Sequence, residues 1–260
     1  MKRILVIPTL GESPFLEPAI DSARALGTGW RVVLVCPAAR ADYLKARYLG
    51  CEVVAETAGG LYGAINTGLR SAAEWDWFSY LNDDDLVTEA VAPEPPAGAD
   101  IVYGRVDYID AGGRRLGSFP VEPRPNRLPV LLAGGVPALT PQGTVISRRA
   151  FEALGGFDAR LRYCGDFDFW LRASVNKLVF VHRPATVGAF RLHAGQLSQQ
   201  QDAAAAELAG VCAAHAPGRS GVSVALARTA FRLRNLPLTF ERRRLTGHWR
   251  SRALFNPPAP

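Results

Sequence analysis

Short β-branched or aromatic runs, each followed by a stretch of helical spacing, constrain this chain more than any other feature. Ile4 to Ile7, Arg31 to Val35, Glu52 to Ala55 and Trp77 to Leu81 read as strands. Between them, Leu16, Ile20, Ala23 and Leu26 recur on one helix face after a start at Ser13 and Pro14, Ala39 to Leu49 fits a second helix, and Leu61 to Glu74 a third with Ile65, Leu69 and Ala72 inward. Strand and helix in alternation predict a parallel sheet with crossover helices, because parallel neighbours cannot be joined by a tight turn. The expected class is therefore α/β, a Rossmann-like, mostly parallel sheet with helices on both faces. In open parallel sheets ligands bind beyond the carboxyl ends of the strands. The fourth strand runs directly into Asn82, Asp83, Asp84 and Asp85.

The pattern changes after Pro93. IVYGRVDYIDAGGRRLGSF predicts an antiparallel hairpin about Gly112 and Gly113. The proline-rich stretch from Phe119 to Pro141 reads as loop with one short helix at Leu128 to Leu132. Arg148 to Leu154 and Asp166 to Ala173 follow as helices, Leu178 to Val181 and Thr186 to Phe190 as two closing strands, and Ala203 to Ala214 and Val222 to Leu233 as C-terminal helices. At 260 residues this implies one catalytic domain over 1–200, with a donor half over about 1–92 and an acceptor half over about 93–200, and a helical basic extension over 201–260. A 48% hydrophobic, 21% charged composition is that of a folded chain, not a disordered one. Cys36, Cys51, Cys164 and Cys212 show no paired spacing, which points to a reducing cytoplasm. The first apolar run is broken by Pro8 and lacks a cleavage site, and no run is long enough to span a bilayer.

A nucleotide-diphosphate leaving group gathers negative charge that a divalent cation neutralises, and Mg²⁺ or Mn²⁺ takes one or two protein carboxylates with phosphate and water for the rest. An acidic run at a strand end supplies such ligands. The same run also suits a solvated turn capping the next helix. Larger blocks carry more information. GGLYGAINTGLRSAAEWDWFSYLNDDDLV, IPTLGESPFLEPAIDSA, GTVISRRAFEALGGFDARLRYCGDFDFWLRA and FRLHAGQLS, in that order across about residues 4–198, resemble successive segments of family 2 glycosyltransferases, which have the GT-A fold.

The resemblance implies an inverting transfer from a nucleotide-diphosphate sugar, UDP favoured and GDP or dTDP open, to a hydroxyl acceptor on a polysaccharide, glycolipid or natural product, with Mn²⁺ or Mg²⁺. On its terms Pro8, Thr9, Leu10 and Glu12 lie at the nucleotide base, Asn66 belongs to the helix facing the nucleotide, and Asn82 and Asp83 serve donor binding. Asp84 is the first metal ligand, and Asp85 supports it. The chain departs from the pattern at Asn82, where an aspartate is common; at Val35-Cys36-Pro37, where an aspartate usually meets uracil; at Gly63, often acidic; and at Pro141, usually histidine.

The resemblance also places the general base, which takes the acceptor hydroxyl's proton, at the start of the acceptor-side helix, on Asp166 of GDFDFWLR. A capping role for Asp166 remains open, and Gly165 stands where glutamate is frequent. Asp168 suits an arginine partner, Arg172 a nearby acid, and Asp158 a structural turn. Arg191 and His193, one residue apart, point to one side of an extended segment, toward the diphosphate and the metal. His193 also reads as an incidental surface histidine.

The net charge of +6 concentrates in arginines from Arg219 to Arg252, with Glu241 the one acid there. In the helix from Val222, the stripe Val222, Leu226, Ala230 and Leu233 is set to pack on the domain with Arg228 and Arg232 solvated. Farther on, Phe240, Leu245, Trp249 and Phe255 interleave with Arg242, Arg243, Arg244, Arg250 and Arg252. Peripheral contact with the inner face of a membrane is the other fate of this segment. Nucleic acid is not expected, since no recognition motif accompanies the charge. Two other functions share the acidic strand end: a nucleotidyltransferase, for which PTLGESPF lacks the glycine-rich, lysine-bearing loop, and a non-catalytic sugar-nucleotide binder.

Overall fold

A computed structural model describes residues 1–193, 196, 200–216, 221–249 and 254. The parallel half is built from β1 (Arg3–Pro8), β2 (Trp30–Cys36), β3 (Glu52–Ala55) and β4 (Trp77–Tyr80), side by side as β3-β2-β1-β4. Alternate residues of β1 feed different cores. Leu5 and Ile7 pack with Leu16, Ala19, Ile20 and Ala23 of α1 (Leu16–Arg24) and Leu44 of α2 (Ala41–Arg47), whereas Ile4 and Val6 pack with Ile65 and Leu69 of α3 (Leu61–Ser71). A strand covered on both faces reads as a continuous apolar run, which is why β1 has no polar alternation.

The sheet continues from β4 through β8 (Val145–Ser147), β6 (Ile101–Ile109), β9 (Phe180–Arg191) and β5 (Leu86–Val87), while β7 (Arg115–Ser118) pairs with β6. α4 (Leu128–Ala133), α5 (Arg148–Leu154), α6 (Gly165–Val175) and α7 (Gln201–His215) follow, then α8 (Val222–Arg234) and α9 (Leu236–Thr246). The result is the expected mixed α/β fold with a mostly parallel sheet and a local antiparallel hairpin. Two departures shape the site. The two predicted closing strands are one strand, whose register against β6 slips between Tyr103–His182 and Arg105–Thr186 to absorb Pro184, which cannot donate to a ladder. The two-residue β5, too short to show a period, pairs antiparallel with β9 through Leu86–Ala189 and Val87–Gly188.

The C-terminal helices pack on the acceptor half, with Val211, Ala216, Ala227 and Phe231 joining the core that contains Phe157, Phe169 and Trp170. α9, unread in the sequence, restarts after Asn235, with Pro237 in its first turn where a missing N–H costs nothing. In α8 the expected inward stripe is the outward one: Val224, Ala227 and Phe231 are buried, while Val222, Leu226 and Leu233 are 77%, 65% and 60% exposed. Both sets have helical spacing, so periodicity alone could not choose between them. No helix among the described residues is long and apolar enough to cross a membrane. Arg219, Arg250, Arg252 and Phe255 of the basic segment, and Ala194, Gly195, Leu197 and Ser198 of FRLHAGQLS, lie outside the described residues.

Candidate active site

β4 ends at Tyr80, and the Leu81 N–H extends the ladder to the Val6 carbonyl before the chain turns at Asn82, whose carbonyl accepts the Asp85 N–H at 3.2 Å. The three aspartates then diverge. Asp83 turns toward the loop after β1, accepting from Thr9 Oγ1 at 2.5 Å, while its carbonyl accepts from Ser13 Oγ at 3.2 Å. Burial pushes the Asp83 carboxyl pKa up to about 6 against the opposing Thr9 hydrogen bond. Asp85 points inward and is fully buried, accepting from Gln142 Nε2 at 2.7 Å, the Arg191 N–H at 2.9 Å and Asn82 Nδ2 at 3.0 Å. Burial, aided by the neighbouring Asp84 charge, holds its pKa well above the usual carboxylate range. Asp84 keeps its side chain partly open, 20% exposed, with Oδ2 at 2.9 Å from His193 Nε2.

The short β5–β9 pairing brings these residues together, because the loop before β5 must then lie against the end of β9. Arg191 reaches the Asp84 carbonyl, and His193 the Asp84 carboxylate. Arg191 is 4% exposed and spends its Nε on the Asp84 carbonyl at 2.8 Å and Nη1 on the carbonyls of Asp110 and Ala111, with its guanidinium 4.7 Å above the Phe15 ring. The His193 ring lies 4.8 Å from that same ring, and the His193 backbone N–H donates to Gln196 Oε1 at 2.7 Å. Phe15 thus spaces the arginine and the histidine.

Asp166 sits in the first turn of α6. Its Oδ1 accepts the Phe167 N–H at 2.8 Å and faces the Tyr62 hydroxyl at 3.3 Å. Its surroundings, walled by Tyr62 and the helix start, raise the carboxyl pKa to about 6, burial being the largest cause. Tyr80, at the end of β4, has its own pKa raised well above the phenol range by burial and by the charges of both Asp166 and Asp85. It therefore feels the charges of both the acidic loop and Asp166. Gly165 leaves room for Tyr62: a Cβ there would come within 2.6 Å of its ring. α6 starts at Cys164 without a side-chain cap of its own. Glu207 of α7 supplies the acceptor, taking the N–H groups of Arg162 at 2.8 Å, Tyr163 at 2.7 Å and Cys164 at 2.6 Å.

An acidic strand end on a half-parallel sheet agrees with what the sequence matches: the model of glycosyl transferase family 2 covers residues 4–155. The chain belongs to that family. It is a glycosyltransferase, and the solved structures it resembles have the GT-A architecture. TarS from S. aureus in complex with UDP-GlcNAc is 15% identical, with a TM-score of 0.62 over 98% of this chain and 78% of that one. The mannosyltransferase PcManGT from Pyrobaculum calidifontis, in complex with GDP-Man and Mn²⁺, is 18% identical, with a TM-score of 0.57 over 93% of this chain and 73% of that one. A longer TarS structure is matched over 44% of its length, with a TM-score of 0.59 and 14% identity. No curated protein sequence matches the chain. At these identities the structures speak for the fold, and the family match ends before Asp166, Arg191 and His193.

The remaining residues singled out in this family 2 sequence fall in three groups. Pro8 and Thr9 are buried at the carboxyl end of β1, and Leu10, 68% exposed, and Glu12, 3.6 Å from Arg40, border the open side of the loop. Asn66 points elsewhere: its amide donates to the Phe157 carbonyl at 2.7 Å and accepts the Phe157 N–H at 3.0 Å, latching α3 to the GGFD turn. Asp168 pairs with Arg172 at 2.7 Å, as expected of both, and also with His215 at 3.0 Å, while Asp158 holds Arg160 within its own turn. The departures have local causes. A Cβ at Gly63 would meet the Ala58 carbonyl oxygen at 2.8 Å, and Cys36 is buried with its thiol pKa raised, so it offers no anion to a nucleotide base. Phe15, Tyr62, Gln142 and Glu207 gained no role from sequence, and Ser13 only that of a helix start. Apart from Phe15 they act through contacts 43 to 104 residues away along the chain, and the ring partners of Phe15 are more remote still.

Among the described residues no three His, Cys, Asp or Glu side chains gather into a self-sufficient metal cage. Asp84 and His193 do fit part of one. An oxygen and a nitrogen donor 2.9 Å apart, each about one fifth exposed, suit a cation that completes its shell with phosphate and water. The side-chain amide oxygen of Asn82, Oδ1, buried and without a hydrogen-bond partner among the described residues, is a further oxygen in the same loop.

Proposed function

We propose that this glycosyltransferase moves a sugar with inversion from a nucleotide-diphosphate donor to a hydroxyl acceptor on a polysaccharide, glycolipid or natural product. The observation that carries the reading is the meeting of Asp84 and His193, 109 residues apart, at the carboxyl end of β4. The nucleotide lies along Pro8, Thr9, Leu10 and Glu12, with Asp83 held by Thr9 for the ribose side. UDP is favoured and GDP or dTDP admitted, since TarS and PcManGT were solved with UDP- and GDP-sugars. Asn66 and Asn82 shape this pocket through the backbone and loop they brace. Asp84 and His193 would hold Mn²⁺ or Mg²⁺, which would supply positive charge opposite the diphosphate leaving group. Asp85 and Arg191 hold the loop that presents Asp84, one by its buried hydrogen bonds and the other through three carbonyls.

Asp166 takes the proton of the acceptor hydroxyl as its oxygen forms a bond to the anomeric carbon. The bond from that carbon to the diphosphate breaks, its electron pair leaving with the nucleoside diphosphate on the opposite face. A carboxylate with a pKa of about 6 is ionised at neutral pH and is a stronger base than an exposed aspartate. We assign residues 1–200 to the catalytic unit, donor half to about 92 and acceptor half beyond, and 201–260 to an extension. The four cysteines, all free, suit a reducing cytoplasm.

Calorimetric titration with UDP, GDP and dTDP, each with Mn²⁺ or chelator, tests the donor site. One nucleotide is expected to bind only with metal, and Asp84→Ala to lose that binding while keeping its melting temperature. Binding that ignores both metal and Asp84 would sink the assignment.

A further inference from the structure

α8 is apolar on two opposite sides. At 100° per residue, Val222, Leu226 and Leu233 fall within about 40° of one another and roughly opposite Phe231. The Phe231 side, with Val224 and Ala227, is packed on the core; the other is open. The open stripe continues onto α9, where Leu236 and Phe240 are 43% and 58% exposed, and onto Trp249, whose ring meets Phe240 edge-on at 5.5 Å. Leu254 is not on it, since that residue packs with the cluster of Tyr108, Leu116 and Leu192.

Arginines border the stripe. Of the six between residues 222 and 249, Arg242 is buried and donates to the Trp249 carbonyl at 2.7 Å, fixing the tryptophan's segment, and Arg228 donates to the Gly134 carbonyl. Arg232, Arg234, Arg243 and Arg244 are exposed, and none forms an ion pair among the described residues. The one acid of the segment, Glu241, is taken by Arg115 at 2.8 Å. Exposed leucine, phenylalanine and tryptophan flanked by unneutralised arginines have the make-up of a helix that lies in a membrane interface, its rings at headgroup level and its guanidinium groups reaching the phosphates. A second copy fits less well, because a two-fold contact sets each patch against its own kind and would bring these arginines together.

We propose that the outer face of α8 and α9 docks the enzyme on an anionic lipid surface. The surface shares no residue with the donor site and stands apart from the reading of that site. It gives the C-terminal helices two jobs, closing the core with one side and meeting lipid with the other.

Cosedimentation of the full chain with phosphatidylcholine vesicles, with and without about 30% phosphatidylglycerol, tests this directly. Binding is expected on the anionic vesicles only, and to fall by about tenfold or more when salt is raised to about 0.5 M. Leu226→Glu with Phe240→Glu, and separately Arg243→Glu with Arg244→Glu, should each abolish binding and leave the melting temperature and nucleotide binding unchanged, since these side chains are exposed. Absence of binding to either vesicle overturns the proposal, and so does equal, salt-insensitive binding to both. A dimer in light scattering that Leu226→Glu dissociates, with no vesicle binding, assigns the face to a second copy instead.

Discussion

Asp166 holds a proton more tightly than an aspartate in water because burial outweighs the hydrogen bonds from Phe167 and Tyr62. Its folded-state pKa of about 6 lies above its unfolded value of 3.8, so the folded state binds the extra proton between those limits and loses stability as pH rises through them. At pH 8 the ionised group costs the fold about 3 kcal/mol. Asp166→Asn should therefore melt at the same or a higher temperature at pH 8 while its turnover falls by about 10² to 10⁴. Calorimetry beside initial rates separates this from a merely structural aspartate, whose loss would lower the melting temperature and spare the rate. In the wild type, kcat/KM should fall tenfold per pH unit below about 6. Tyr62→Phe removes a hydrogen bond that favours the carboxylate, so it should move this acid limb to higher pH; an unmoved limb would detach Tyr62 from the base.

Among the elements, α6 depends on a neighbour for its start. Three successive N–H groups converge on the Glu207 carboxylate, and charge-assisted bonds of this kind are worth more than neutral ones. Glu207→Ala leaves those donors to find water at a half-buried turn, and should destabilise the chain by about 2–3 kcal/mol in chemical denaturation. Glu207→Gln, which still accepts, should recover part of that. The Tyr62 ring against Gly165 sets a second test: Gly165→Ala should displace the ring and lower both stability, by about 1–3 kcal/mol, and kcat. Neither partner was legible in GDFDFWLR, because a helix start shows its cap in sequence only when the cap is local. The acidic loop repeats the lesson: three aspartates in a row were legible, but β5–β9 pairing and Gln142 decide that Asp83, Asp84 and Asp85 point three ways.

For the molecule as a whole, the extension is part of the core it follows. A chain ending at Gln200 would lose Phe231 and Val211 from the interior, each on the order of 1.5–3 kcal/mol, together with Glu207, against a typical net stability of about 5–15 kcal/mol. Such a truncation is expected to aggregate or melt well below the full chain in differential scanning fluorimetry. An unchanged melting temperature would make residues 201–260 an independent appendage.

The amino-acid sequence by itself determined what local physics controls. Short β-branched and aromatic runs made β1 to β4 parallel strands, their crossover helices followed from helical spacing, and the acidic run lay at the strand end where such sheets bind ligands. The blocks around Asp166 also singled it out as the candidate base. Tertiary structure decided what depends on remote partners: Arg191 braces the loop, Asn66 latches the GGFD turn, and two predicted strands join across Pro184. It also chose the buried side of α8. A period of 3.6 residues shows that a helix has an apolar face, but where two such faces exist only the shape of the surface beneath selects one.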